Sequence, residues 1–147
     1  MSQEAFDKAA VVATLNHILE LEMAGVVRYT HYSLMVFGYN RIPVVSWLRK
    51  QADESLLHAQ EAGELITYLE AHPSLGIGPL LETHQHDIGG ILNEALEHEK
   101  AAIEAYRGLL SLVEGKSIML EEYARRLISD EEMHAGDIKK MLRLGNP

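Results

Sequence analysis

The 147-residue chain has no cysteine, two phenylalanines, one tryptophan and four prolines. Without cysteine there is no disulfide, no thiolate metal site, no iron–sulfur cluster and no cysteine nucleophile. Any metal must be held by Glu, Asp and His, a donor set that suits iron, manganese and zinc. Positive charge is also scarce: 13 Lys and Arg stand against 22 Asp and Glu, a formal charge of −9. A basic patch for nucleic acid is therefore not expected. No uninterrupted apolar run reaches the length of a membrane span. The beginning, Met1-Ser2-Gln3-Glu4, carries neither a basic region nor an apolar signal run, so a cytoplasmic protein is expected. At 47% apolar residues, the chain can bury a core as one domain over 1–147.

Sustained strand alternation is missing too, and four long segments carry helical periodicity instead. The first runs from about Asp7 to Phe37 and stops near Gly38, with the stripe Leu15, Leu19, Glu22, Val26, Tyr29, Ser33, Val36. Arg41-Ile42-Pro43 opens the second, since proline suits a first helical turn. Its stripe is Trp47, Gln51, Glu54, His58, Ala62, Leu65, Leu69, and it ends before Pro73. The third starts near Asp87, follows Ile88, Leu92, Ala95, Glu99, Ala102, Tyr106, Leu109 and Val113, and ends at Gly115. Ser117 is the expected N-cap of the fourth, whose stripe is Leu120, Ala124, Leu127, Glu131, His134, Ile138; Gly145-Asn146-Pro147 closes it.

Residues 73–86 are rich in breakers and long for a connection. At about 3.3 Å per residue such a segment spans roughly 45 Å, the length of a helix of some 28 residues. The expected fold is all-α: a four-helix bundle of two antiparallel hairpins joined by a long crossover.

The two hairpins repeat. Glu22 to Glu54 is 32 residues, and so is Glu99 to Glu131. Glu22 and Glu99 are each followed seven residues later by a tyrosine, Tyr29 and Tyr106. Each hairpin thus offers two Glu and one His on core-facing stripes. A buried carboxylate needs a partner or a metal. Four carboxylates and two imidazoles balance two divalent metals, and Glu-x-x-His on an inner helix face is a known way to hold metal in a bundle. The expected ligands are Glu22, Glu54, His58, Glu99, Glu131 and His134. The helices differ in one respect: the fourth has Glu-x-x-His (131, 134), the second Glu-x-x-x-His (54, 58). Either a π-bulge absorbs the extra residue and Glu54 ligates, which the stripe and the 32-residue spacing favour, or Ser55 holds the ligand place.

Glu20, Glu97 and Glu132 read as solvated, and His98 lies off the stripe. Tyr29 and Tyr106 are either core aromatics or hydrogen-bond partners and electron donors beside the ligands. His84 and His86 form an exposed His-x-His in the crossover; His17, His31 and His72 read as structural or surface residues, and Trp47 as a core or interface residue.

These residues resemble the ferritin-like superfamily, and most of all the bacterioferritins, over about Leu15 to Leu142. The family takes one Glu from the first helix, Glu and His from the second, Glu from the third, and Glu and His from the fourth. The matching positions are Glu22, Glu54 with His58, Glu99, and Glu131 with His134. The family's tyrosine is Tyr29, the candidate catalytic residue. The resemblance implies a ferroxidase: two Fe ions per subunit (or Mn), oxidation of Fe(II) by O2 or H2O2, and iron storage or detoxification in a homo-oligomer. The family's haem-binding Met directly follows the second-helix Glu. Ser55 and Leu56 stand there, so no haem is expected. Only 13 residues follow His134, too few for the family's short fifth helix, which puts a 24-subunit shell in question. Competing readings are a non-storing oxidoreductase of the peroxidase or manganese catalase type, and a metal-stabilised structural bundle. A rubrerythrin is disfavoured by the lack of cysteine, and a DNA-protecting miniferritin by the presence of both half-sites in one chain.

Overall fold

A computed structural model describes residues 5–81 and 83–143. Four helices follow in order: α1 (Lys8–Met35), α2 (Arg41–Tyr68), α3 (Ile88–Val113) and α4 (Ile118–Leu142). The closing signal Gly145-Asn146-Pro147 and the N-terminal Met1–Glu4 lie outside the described residues.

Side chains start three of the helices. Asp7 accepts from the Ala10 amide at 3.1 Å, Asp87 from the Gly90 amide at 2.7 Å, and Ser117 from the Leu120 amide at 3.3 Å. Each satisfies one of the amide donors left free at a helix start. α2 has no side-chain cap at Asn40; Pro43 in its first turn removes an amide that would otherwise need a partner. Gly38 and Gly115 take positive φ, 108° and 75°, in the two short turns, where a side chain would be strained.

α1 packs against α2, α3 against α4, and α1 against α3. Tyr106 of α3 reaches Glu22, and Tyr29 of α1 reaches Glu99. The partner number falls as the α1 number rises, so α1 and α3 run antiparallel. The apolar core falls into two halves. One is built on Leu15, Ile18, Ile66, Leu109, Leu120 and Leu127; the other on Tyr29, Leu48, Ile91, Leu92 and Ile138. The polar site lies between them along the bundle axis. Each buried Leu or Ile contributes about 1.5–3 kcal/mol, which offsets the cost of interrupting the core with carboxylates.

Two sequence expectations change here. α2 is an uninterrupted α-helix from Arg41 to Tyr68, with no widened turn near Glu54. Its buried face is Leu48, Gln51, Ala52, Ser55, His58, Ala59, Ala62 and Ile66. That face is rotated from the expected stripe toward Ala52, Ser55 and Ala59. Ser55 is buried and Glu54 is at the edge, only part-covered. The second change concerns Glu20, read as solvated. It anchors the crossover: its carbonyl accepts from the Gly78 amide at 2.8 Å and its carboxylate from Ser74 Oγ at 2.5 Å. Ser74 N also donates to Asn16 Oδ1 at 2.7 Å. The crossover is thereby tied to the middle of α1. Among the described residues, α1 is the one helix long and apolar enough to cross a membrane by length and composition, and its buried face packs on α2 and α3.

Candidate metal centre

Each helix contributes to one buried polar cluster. Glu22, Glu99 and Glu131 are 3%, 4% and 3% exposed. Two trios emerge, Glu22–His58–Glu131 and Glu99–Glu131–His134, each with ligand atoms within 4.8 Å of one another. Glu131 belongs to both. His58 Nδ1 lies 3.1 Å from Glu131 Oε1 and 3.3 Å from Glu22 Oε2, yet makes no aligned hydrogen bond to either. Carboxylates that crowd a buried ring nitrogen without lying along its N–H are arranged as ligands around a common centre would be. The donor set of carboxylates and imidazoles fits divalent iron or manganese.

Two tyrosines brace the carboxylates from opposite sides. Tyr29 donates to Glu99 Oε1 at 2.5 Å, and Tyr106 donates to Glu22 Oε2 at 2.6 Å. Each tyrosine bridges α1 and α3, so the internal repeat appears in space as two reciprocal hydrogen bonds. The tyrosines also touch other rings: Tyr29 meets Trp47 edge-on at 6.3 Å, and Tyr106 meets Tyr123 at 6.0 Å.

Among the described residues no Lys or Arg forms an ion pair with Glu22, Glu99 or Glu131. The protonation states respond accordingly. Burial, with the Glu131 charge next, pushes Glu99 far above the usual carboxylate range. Burial also raises Glu22, although His58 works against it. Glu131 moves the other way: burial opposes its charge, but the neighbouring Glu99, His134 and His58 outweigh it and hold the carboxyl low. Burial disfavours a charged His58, yet Glu131 and Glu22 outweigh burial and raise the imidazole to about 10. His134 is raised as well, Glu131 overcoming its burial. Without metal, protons hold the charge of this cluster.

Five of the six expected ligands, Glu22, His58, Glu99, Glu131 and His134, fall in the two trios. Glu54 lies outside both; its Oε2 is 2.7 Å from His134 Nε2. The Glu131 contact is at the other ring nitrogen, Nδ1, at 3.7 Å. Glu54 thus sits across the imidazole from the shared carboxylate.

His98, read as off the stripe, is buried at 5% exposure. It lies on a second buried row, Ile91, His98 and Ala105, whose seven-residue spacing was the available signal. Its Nδ1 is 3.5 Å from Arg28 Nη1, and its ring meets Tyr29 edge-on at 6.2 Å. Burial and the Arg28 charge lower His98 to about 4. Glu97 and Glu132 are exposed as expected, paired with Lys100 and Arg107. His84 and His86 are also exposed.

The fold is widely shared. The dodecameric thioferritin, a bacterioferritin-related protein of Bacteroides fragilis, is 24% identical with a TM-score of 0.86, over 93% of this chain and 86% of that one. A ferritin-like diiron-carboxylate protein of Bacillus anthracis is 20% identical with a TM-score of 0.85, over 95% and 99%. The bacterioferritin of Desulfovibrio desulfuricans, solved with its diiron site in different catalytic states, is 25% identical with a TM-score of 0.79, over 92% and 79%. No curated protein sequence matches the chain. The ferritin-like domain model matches residues 12–146, and the chain belongs to the ferritin-like family.

Proposed function

We propose that the protein binds two Fe(II) ions per chain as substrate and oxidises them with O2 or H2O2, for iron storage or detoxification in a homo-oligomer. The observation that carries this reading is the pair of trios sharing the buried Glu131. Three carboxylates buried without a Lys or Arg partner are costly, and two divalent cations supply the missing charge. Iron suits the site because carboxylate and imidazole bind both of its oxidation states. When bound there, the ions supply one electron each to the oxidant.

The protein's part is positioning and proton handling. Glu131 would be shared by the two ions, Glu22 with His58 would complete one half-site, and Glu99 with His134 the other. Tyr29 and Tyr106 fix the orientations of Glu99 and Glu22 by hydrogen bonds on their outer oxygens. We assign Tyr29 the further role of catalytic residue, because it is also in edge contact with Trp47 and His98. Glu54 acts on the site through His134: an acceptor at Nε2 leaves Nδ1 as the ligating nitrogen and orients the ring. The protons on Glu99, His58 and His134 leave as metal enters.

The test is aerobic addition of excess Fe(II) to metal-free protein, followed by sedimentation and iron counting. Accelerated oxidation with hundreds of irons per large particle supports storage. Accelerated oxidation with about two irons per chain on a small oligomer supports the di-metal site and assigns the protein to non-storing oxidation. No acceleration and no retained iron would overturn the ferroxidase reading.

A further inference from the structure

The internal repeat pairs Glu131-x-x-His134 of α4 with position 55 and His58 of α2, because α2 is uninterrupted α-helix through this stretch. The α2 counterpart of the shared carboxylate is therefore a serine. Ser55 is buried, at 7% exposure. The two trios contain three carboxylates between them, one negative charge short of two divalent ions. Glu54 does not make up the difference at the centre, since it lies across the His134 ring.

The surroundings of Ser55 are donors. A Cβ built on Gly25 would lie 2.6 Å from Ser55 Oγ and 3.1 Å from His98 Nε2, so both atoms pack against the bare Cα of this glycine, where a side chain would collide with them. Gly25 is one turn beyond Glu22 and one turn before Tyr29, on the α1 face that carries both. Arginine can only donate, so His98 Nδ1 accepts from Arg28 and Nε2 is the ring nitrogen left to donate. A hydroxyl and an imidazole N–H thus stand together where the repeat predicts a carboxylate.

We propose that the α2 side of the metal centre takes a small exogenous monoanion, held by Ser55 and His98 as the second bridge opposite Glu131. This rests on the di-metal reading above. With Ser55 on α2, Glu131 of α4 would be the one carboxylate common to both metals, and the side facing it would be left to an anion of the carboxylate or hydrogencarbonate class. The anion supplies the fourth negative charge, and the Ser55 hydroxyl and His98 Nε2–H hydrogen-bond its outer atoms. Ser55 and His98 are positioning residues for this ligand.

Azide is the probe, added to full-length protein loaded with two Co(II) per chain and followed by the visible cobalt spectrum. The expected result for the native protein is one azide per metal pair. Ser55→Glu supplies the carboxylate from the protein: it should still take two Co(II) and bind azide at least tenfold more weakly. Gly25→Ala places a methyl where the two donors converge and should weaken azide several-fold without changing the metal count; it serves if Ser55→Glu does not fold. Two Co(II) bound with no azide response in the native protein, or azide affinity unchanged in the variants, overturns the proposal and leaves the di-metal reading intact. Fewer than two Co(II) in the native protein overturns that reading and this inference together.

Discussion

Glu131→Gln should remove most of the stabilisation that metal confers. Glu131 is the one residue common to both trios, so a single neutral amide weakens two half-sites at once. A ligand present at 100 times its Kd stabilises the folded state by about 2.7 kcal/mol, hence two metals by about 5 kcal/mol. For a chain of this size each kcal/mol moves Tm by about 2–4 °C, which gives a rise of roughly 10–20 °C for the native protein. Removing a charged partner from a buried group costs about 3 kcal/mol; at that cost per half-site, affinity falls about 100-fold. The same metal concentration then sits near Kd and contributes only about 0.4 kcal/mol per site, a rise of a few degrees. The assay is thermal unfolding by circular dichroism of metal-stripped protein with and without Mn(II), which avoids oxidation. The comparison is between shifts, because the substitution also alters the metal-free protein: His58 loses its nearest carboxylate while Glu99 loses a repulsive neighbour. An equal metal-induced rise in native and variant protein would refute the shared-ligand argument.

Four further outcomes are expected. Because His58 is raised to about 10 in the metal-free protein, metal binding at pH 8 should release at least one proton per chain, measured by calorimetry in buffers of different ionisation enthalpy; release from His58 should vanish above pH 10. His98 is lowered to about 4 against an unfolded value of about 6.5, so its contribution to stability is intact above about pH 6.5 and is lost as pH falls toward 4. That loss is about 3 kcal/mol, and denaturant titrations of metal-free His98→Gln should show a correspondingly flatter acid limb. Tyr29→Phe strips the buried Glu99 of its donor, which should cost about 1–3 kcal/mol in the metal-free protein and slow Fe(II) oxidation in stopped flow. Glu54→Ala should keep two metals per chain while lowering their affinity about 10–100-fold; loss of one whole metal in equilibrium dialysis would instead make Glu54 a direct ligand.

Most of the fold was legible because each helix announces itself at its ends. Ser117 caps as expected, Asp7 and Asp87 stand where their helices were expected to start, and the breakers between Pro73 and His86 mark the crossover. The stripes of α1, α3 and α4 place Glu22, Glu99 and Glu131 correctly in the core, because large residues on either side of each fix the buried face. α2 was harder. Its inward face includes Ala52 and Ala59, whose small side chains weigh little in a hydrophobic pattern. The heavier Trp47, Leu65 and Leu69 pulled the expected stripe toward Glu54 and away from Ser55. His98 was passed over for a related reason: a helix packed against two neighbours buries two rows, and a single-stripe reading sees one. Glu20 was unreadable as an anchor, since its partners Ser74 and Gly78 are more than fifty residues away in an irregular segment. The Tyr–Glu pairs illustrate the reverse case: the seven-residue spacing was visible in each helix, but only the antiparallel crossing of α1 and α3 shows that each tyrosine serves the other helix's carboxylate.

Two metals are expected side by side in this bundle, with Glu131 common to both. A crystal structure of protein soaked anaerobically in Fe(II), with anomalous data at the iron edge, tests this most directly. The account predicts two peaks per chain, one touching Glu22, His58 and Glu131 and the other touching Glu99, Glu131 and His134. A single peak, or iron bound only at surface carboxylates with these five side chains arranged as they are without metal, would contradict it.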